Sequence, residues 1–347
     1  MDTTLAPPAA PALQFSDGFR KEITDRFGLD EAFVRKLVAG RRFDGKVIER
    51  WEDLVNPAQS MSSAYLHFAL SNVVRGRQTR DVIMRKTGIR GGRSLDVGSA
   101  YGGMVVAFSE AGFQASGIEI DPTWCELGNL NCTSRGFGTP IRLADFLAEP
   151  LEGRFDVVTC NDVIEHVMAP RTAIERMADL LLPGGVLYLM VPNAWSHDHV
   201  LRDGHYGQFG MNLLDHFAAR EYYDLRCKST YGKPYSCGEF HPLGWYREQL
   251  ARCGLSVEVH RTTSSRLPAD EQVRDIIAGL DAAFAGWKRE GLPEILADQV
   301  AQRFLDYRRG LLDAYAHAQT DAGAVLPFLE TYMDSFWMIF ARRAPAA

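Results

Sequence analysis

Ser94-Leu-Asp-Val-Gly-Ser-Ala-Tyr-Gly-Gly103 is a short apolar strand running into a glycine-rich turn, and Met104 to Ala111 continue from it as an apolar helix. Glycine lets the backbone turn tightly and lets a ligand come close, while the first turn of the following helix leaves N–H groups unpaired. Strand, turn and helix together make a cradle for a nucleotide-like cofactor. The turn alone is common among α/β proteins. The next strand, Gln114 to Asp121, strengthens the reading because Glu119 lies near its end, where a carboxylate can accept ribose hydroxyls.

The residues argue against a dinucleotide. Its fingerprint needs glycine at the places of Gly98, Ala100 and Gly103, and the middle one is alanine. Asp96 also puts a negative charge at the strand end, which suits the amino group of a methionine moiety and would repel a pyrophosphate. At this point the sequence resembles the class I S-adenosylmethionine-dependent methyltransferases, whose first motif is an acidic residue followed by glycines at alternate positions. Here that motif stands as Asp96-Val-Gly98-Ser-Ala100-Tyr-Gly102.

Further elements follow in the family's order. Asp121-Pro122 opens a helix, with Asp121 as N-cap and proline in the first turn. Pro140 to Leu143 is a third strand leading to Asp145-Phe146, and Phe155 to Cys160 is a fourth leading to Asn161-Asp162. Leu181-Leu-Pro-Gly-Gly185 stops a helix ahead of a fifth strand, Val186 to Val191. The likeness spans about Arg93 to Asn193. It implies that donor binding falls to Asp96, Gly98, Ser99, Ala100 and Gly102, to Glu119 and Ile120, to Asp145 and Phe146, and to Asn161 and Asp162.

The segment Asn161-Asp162-Val-Ile-Glu165-His166 carries two readings. A helical turn would put Asp162, Glu165 and His166 on one face, able to hold a divalent ion, and the segment resembles that of metal-assisted ubiquinone-type catechol enzymes and small-RNA 2′-O-methyltransferases. The other reading is a capping box between Asp162 and Glu165, with His166 packing or serving alone as a general base.

Composition sets the outer limits. Of 347 residues, 38 are Lys or Arg and 44 are Asp or Glu, giving a net charge of −6 and no general affinity for nucleic acid. The run from Arg75 to Arg93 has seven basic residues against Asp81 and reads as a solvated helix face, with an anion-binding edge as the alternative. Six cysteines include no C-x-x-C pair, which fits reduced structural thiols; Cys227, Cys237, His241 and Cys253 match no zinc-ribbon spacing. No apolar run is long enough to span a bilayer, and the Ala/Pro-rich start has Asp2 in place of a basic leader, so a cytoplasmic protein is expected.

Outside the core, residues 1–15 are expected to be a disordered tail and 16–89 a helical cap, including one long helix from Met61 to Lys86 with a break near Gly76. Residues 90–347 are expected to form the methyltransferase domain, with insertions at 194–240 and 267–334. The first insertion is rich in histidine (197, 199, 205, 216) and aromatic residues, as an acceptor pocket would be. His197 and His199 share a face only if that segment is extended. The stripe Leu296, Val300, Phe304, Tyr307, Leu311, Tyr315 reads as ordinary helix packing, and Ser335 to Ala341 as the closing strand.

The expected fold is thus α/β: a Rossmann-like, seven-stranded, mostly parallel sheet with an antiparallel last strand, a helical cap and helical insertions. The expected cofactor is S-adenosylmethionine, with a divalent ion at Asp162, Glu165 and His166 as a secondary reading. The expected reaction is methyl transfer to a hydroxyl of a bulky or aromatic small molecule, His166 acting as base. N-methylation, metal-assisted RNA 2′-O-methylation and a non-catalytic binding role are the alternatives; neither a nucleic-acid nor a membrane partner is expected.

Overall fold

A computed structural model describes residues 13–39, 41, 43, 45–55 and 63–346. They fall into two compact units divided between Asp156 and Val157. Most of the expected tail, residues 1–12, lies outside the described residues. Gln14–Phe15 form a strand (β1), paired in parallel with Val47–Ile48 (β2).

Unit 1 opens with helices α1 (Asp17–Asp25) and α2 (Glu31–Leu37), capped by the side chains of Ser16 and Asp30. Their apolar faces, with Phe19, Ile23 and Phe33, share one core with Tyr101, Val105 and Leu127. The cap therefore packs directly onto the elements that carry the glycine-rich turn. The expected long helix is two helices, α3 (Ser63–Leu70) and α4 (Asn72–Thr87), interrupted at Ser71 and continuous through Gly76. Gly76 has another reason to be glycine: a Cβ there would lie 2.3 Å from the Gly103 carbonyl oxygen. Reciprocally, a Cβ on Gly103 would lie 2.2 Å from the Asn72 carbonyl oxygen. These two glycines let α4 run backbone-to-backbone against α5 (Gly103–Glu110).

Strand β3 (Arg93–Val97) pairs in parallel with β4 (Gln114–Glu119), and β4 with β5 (Ile141–Leu143). Helix α6 (Pro122–Thr133) connects the last two; its N-cap Asp121 accepts from the N–H groups of Thr123 and Trp124, and Pro122 is its first residue. Strand β6 (Phe155–Asn161) begins at the end of unit 1.

In unit 2, helix α7 (Pro170–Asp179) precedes β7, which runs from Leu181 to Pro192 and so starts five residues before the expected Val186. The Pro-Gly-Gly segment is part of the strand; Gly184 takes a φ of 80° and its N–H donates to the Ala344 carbonyl. The first insertion is helical, α8 (His197–Leu201), α9 (His216–Arg226) and α10 (Lys228–Tyr231), followed by α11 (Leu243–Arg252) and strand β8 (Leu255–His260). The second holds α12 (Asp270–Gly286), α13 (Glu294–Thr320) and α14 (Val325–Phe328). The α13 stripe is buried and packs with Val273, Ile277 and Leu280 of α12, or with Met211 and Tyr222 of the first insertion. That is helix packing, as the spacing predicts.

The last strand, β9 (Phe336–Arg343), is antiparallel to both β7 and β8. The sheet has seven strands in the order β5-β4-β3-β6-β7-β9-β8, so the antiparallel last strand lies one place inside the edge. This is the expected Rossmann-like architecture.

Candidate functional site

In unit 1 the loop after β3 is fixed almost entirely by backbone. The N–H groups of Gly98 and Ser99 both donate to the Ile118 carbonyl, the Ser99 hydroxyl donates to the Asp96 carbonyl at 2.8 Å, and Gly102 N–H returns to Ser99. Gly98 and Gly102 have φ of 74° and 75°. Ala100 has a φ of 41°, left-handed in a residue with a Cβ, which costs about 1–2 kcal/mol relative to glycine. Opposite the loop, a Cβ on Gly117 would lie 2.1 Å from Ser99 Oγ, so β4 must be bare there for the turn to seat.

Glu119, only 3% exposed, does more than wait for a ligand. Its Oε2 accepts from Ala100 N–H at 2.7 Å, and its Oε1 from Ile120 and Asp121 N–H, each at 2.9 Å. A carboxylate has about four acceptor positions, so three are committed to shaping the cradle and one is left for a hydroxyl. The sequence alone suggested that it would serve both ribose hydroxyls. Ile120 beside it is 66% exposed despite its apolar side chain, offering a flat wall. Asp145 Oδ1 caps the following turn by accepting from Leu147 N–H at 2.8 Å, and Phe146 is buried. Asp96 is buried at the end of β3.

Several residues of the basic run are paired within unit 1. Arg77 forms a two-pronged pair with Glu110, both contacts at 2.7 Å; Arg80 binds Asp81 and the Ala107 carbonyl; Arg93 lies over the Phe155 ring. These contacts engage Arg77, Arg80 and Arg93 and favour a solvated, internally paired face over an anion-binding edge.

In unit 2 the segment after β6 departs from both sequence readings. Asp162 has a φ of 53° and donates its N–H to Met190, so it stands outside the single 3₁₀ turn Ile164–His166. Asp162, Glu165 and His166 therefore do not share one helical face, and no capping box forms: that turn has no side-chain cap. Glu165 instead is 1% exposed with neither carboxylate oxygen hydrogen-bonded. Asn161 Oδ1 is likewise buried without a hydrogen-bond partner.

What the fold brings together is His166, His205 and Cys237, whose ligating atoms all lie within 4.8 Å of one another. Among the described residues this is the one such group. Glu165 Oε1 sits 3.9 Å from His166 Nε2 and 3.8 Å from His205 Nε2, beyond hydrogen-bond length. His166 Nδ1 donates to the Ser236 carbonyl at 2.9 Å, which aims Nε2 at the cluster. The His205 backbone is held by Asp203. Burial opposes charge on each member, but the mutual contacts outweigh it: His166 is raised by Cys237 and Glu165, His205 is raised well above its ordinary value by the same two groups, and Cys237 is lowered by both imidazoles. The mutual contacts thus make the thiol easier to ionise and both imidazoles easier to protonate.

A cleft of about 400 Å³ adjoins it, lined by His166, Met168, His216, Arg220, Tyr235 and Cys237 among others. Tyr235 belongs to an aromatic group with Tyr206 and Tyr223. His216 Nδ1 is buried and has no hydrogen-bond partner. His205, His216 and Cys237 gained their significance only in the structure; the density of His and aromatic residues in 194–240 was the available signal. The other candidates are structural. His197 and His199 lie in α8 and are bonded separately to the carbonyls of Tyr332 and Asn193. His241 stacks on Trp245, and Cys227 is buried in an apolar cluster.

Residues 74–226 match the family described as methyltransferase domain. The chain is 32% identical over 115 residues to a ubiquinone biosynthesis O-methyltransferase of Xanthomonas campestris, covering 33% of this chain and 48% of that protein. It is 31% identical over 113 residues to the protein of that description from Methylococcus capsulatus, covering 32% and 48%. The chain thus spans about half the length of these relatives. A solved structure of Haemonchus contortus phosphoethanolamine N-methyltransferase 2 with S-adenosyl-L-methionine aligns with a TM-score of 0.40 and 18% identity, over 78% of this chain and 53% of that one. No helix among the described residues is long and apolar enough to cross a membrane.

Proposed function

We propose that residues 74–226, which match a methyltransferase domain, are a class I S-adenosylmethionine-dependent methyltransferase domain, and that this protein methylates a hydroxyl group of a small molecule. The observation carrying the donor assignment is the Glu119-shaped cradle. Three backbone N–H groups fix its carboxylate and leave one acceptor position, next to the exposed apolar Ile120 and above the positive end of α5. These residues fit an adenosine with a charged amino-acid tail. S-adenosylmethionine supplies an activated sulfonium methyl group when bound.

On this reading Asp96 neutralises the amino group of the methionine moiety, and the loop Gly98, Ser99, Ala100, Gly102 lets the ligand approach the backbone. Glu119 accepts from a ribose hydroxyl, while Asp145 accepts from the adenine amino group with Ile120 and Phe146 as apolar walls. Methyl transfer depends chiefly on alignment, and a hydroxyl acceptor also needs a group to take its proton.

We assign the acceptor to the 400 Å³ cleft of unit 2, whose size suits a small metabolite. Tyr235 and Met168 supply apolar contact for a bulky or aromatic body. The proton goes to an imidazole of the cleft wall. His166 is the first candidate; His216 is a second, favoured by its unpartnered Nδ1. The likeness to the two ubiquinone biosynthesis O-methyltransferases supports oxygen over nitrogen as the methylated atom. The test is calorimetric titration with S-adenosylmethionine, followed by turnover assays on a panel of catechols and simple amines. Binding lost in Glu119→Ala, with methyl transfer to a hydroxyl, is the expected result; absence of donor binding overturns the assignment.

A further inference from the structure

The buried carboxylate of Glu165 has no hydrogen-bond partner, and burying such a charge alone is strongly unfavourable. Two imidazoles face it, His166 Nε2 at 3.9 Å and His205 Nε2 at 3.8 Å, and these two histidines form with the Cys237 thiol a group whose ligating atoms lie within 4.8 Å of one another. We propose that His166, His205 and Cys237, completed by Glu165, form a four-ligand zinc site that ties the 194–240 insertion to the turn after β6.

The donor set selects the ion. One thiolate, two imidazoles and a carboxylate match the borderline-soft preference and four-coordinate geometry of Zn²⁺, whereas magnesium and calcium take all-oxygen shells. Bond lengths of about 2.0–2.3 Å place neighbouring ligand atoms in a tetrahedron roughly 3.3–3.8 Å apart. The two Glu165–histidine spacings, 3.8 and 3.9 Å, are close to that edge already. The supporting bonds are also in place. His166 donates its outer Nδ1–H to the Ser236 carbonyl, and Gly238 N–H donates to the Glu165 carbonyl at 2.6 Å, flanking Cys237 on both sides. Such outer contacts fix ligand orientation. Asp203, accepting from the N–H groups of His205, Tyr206 and Gln208, fixes the remaining ligand loop.

All four ligand positions are filled by protein, so this ion is structural: it holds the wall of the cleft that carries Tyr235 and Ser236. With zinc bound, His166 Nε2 is a ligand, and the proton-accepting role proposed above passes to His216. The inference concerns the same cleft but does not depend on methyl transfer, because its test reads metal.

The experiment is to express the full chain in zinc-supplemented medium, dialyse it, measure zinc by mass spectrometry, and then exchange zinc for cobalt(II). About one zinc per chain is expected, and a cobalt form with a thiolate-to-metal charge-transfer band and tetrahedral visible bands. Cys237→Ser and His205→Ala should each lower zinc affinity at least about tenfold while S-adenosylmethionine binding persists. Cys253→Ser should retain full zinc. A folded wild-type protein that takes up neither zinc nor cobalt overturns the proposal, as does undiminished zinc in Cys237→Ser. Should Cys237→Ser fail to fold, the wild-type cobalt spectrum still decides, since the charge-transfer band requires a thiolate ligand. Turnover measured on the same samples separates this inference from the methyltransferase reading: zinc without turnover damages only the latter, and turnover without zinc only the former.

Discussion

In unit 1 the loop after β3 is made of backbone: N–H groups, left-handed residues and one carboxylate, nearly all within Asp96–Asp121. In unit 2 the cluster beside the cleft is made of side chains from Glu165, His166, His205 and Cys237, which meet only when the insertion folds back. On the proposed reading the first accepts the methyl donor, and backbone geometry, which few side-chain changes can alter, suits that task. The second borders the proposed acceptor cleft, and side chains on an insertion can change without disturbing the sheet.

If the two regions divide the work in this way, substitutions should separate cleanly. The largest effect is expected for His216→Asn, the proton acceptor once His166 is a metal ligand, with turnover falling about 10²–10⁴-fold and donor affinity unchanged; parallel kinetics and calorimetry would check it, and an equal loss of donor affinity would break the division. Glu119→Ala is the mirror image. It removes three charge-assisted hydrogen bonds and the ribose acceptor, so donor affinity should fall about a hundredfold or more, seen by calorimetry, while the unit 2 cluster is untouched.

Next in size is Gly103→Ala. The new Cβ would meet the Asn72 carbonyl at 2.2 Å, forcing α4 and α5 apart and costing about 1–3 kcal/mol of stability in thermal unfolding. Ala100→Gly should act in the opposite direction. Relieving the left-handed alanine should stabilise the protein by about 1 kcal/mol in denaturant titration and leave donor binding intact. Binding that weakens instead would mean that the alanine methyl contacts the ligand.

The smallest effect concerns the last turn of α5. The two-pronged Arg77 contact holds the Glu110 carboxyl below its ordinary value of 4.5. A carboxyl whose folded pKa is depressed contributes stability above its unfolded pKa and loses it as pH falls through the folded value. Both partners are partly exposed, so the contribution is under about 1 kcal/mol. Unfolding curves for Glu110→Gln and wild type should differ at neutral pH and converge below pH 4.5.

The elements that were legible share one property. The turn Gly98–Gly103, the Asp121-Pro122 helix start and the α13 stripe each express a local rule of glycine conformation, capping or period, and each appears where its residues stand. The misreadings came where tertiary contacts overrode such rules. Gly76 looked like a helix break because glycine weakens helices, yet it serves the close approach of α5. Asp162 and Glu165 had capping-box spacing, yet the left-handed Asp162 takes the chain out of the helix before the box can form.

The sequence by itself determined the parallel α/β core, the glycine-rich loop and its acidic partner Glu119, because the hydrogen bonds that define them link residues close in the chain or in adjacent strands. Only the tertiary structure decided that Glu119 spends most of its carboxylate on the loop itself, and that His205 and Cys237 join Glu165 and His166. The spacing of those residues has no period, and the histidines and cysteines left out, His197, His199, Cys227 and His241, are of the same chemical types. What separates the two sets is where the insertion's helices and apolar packing point each side chain, which no local pattern encodes.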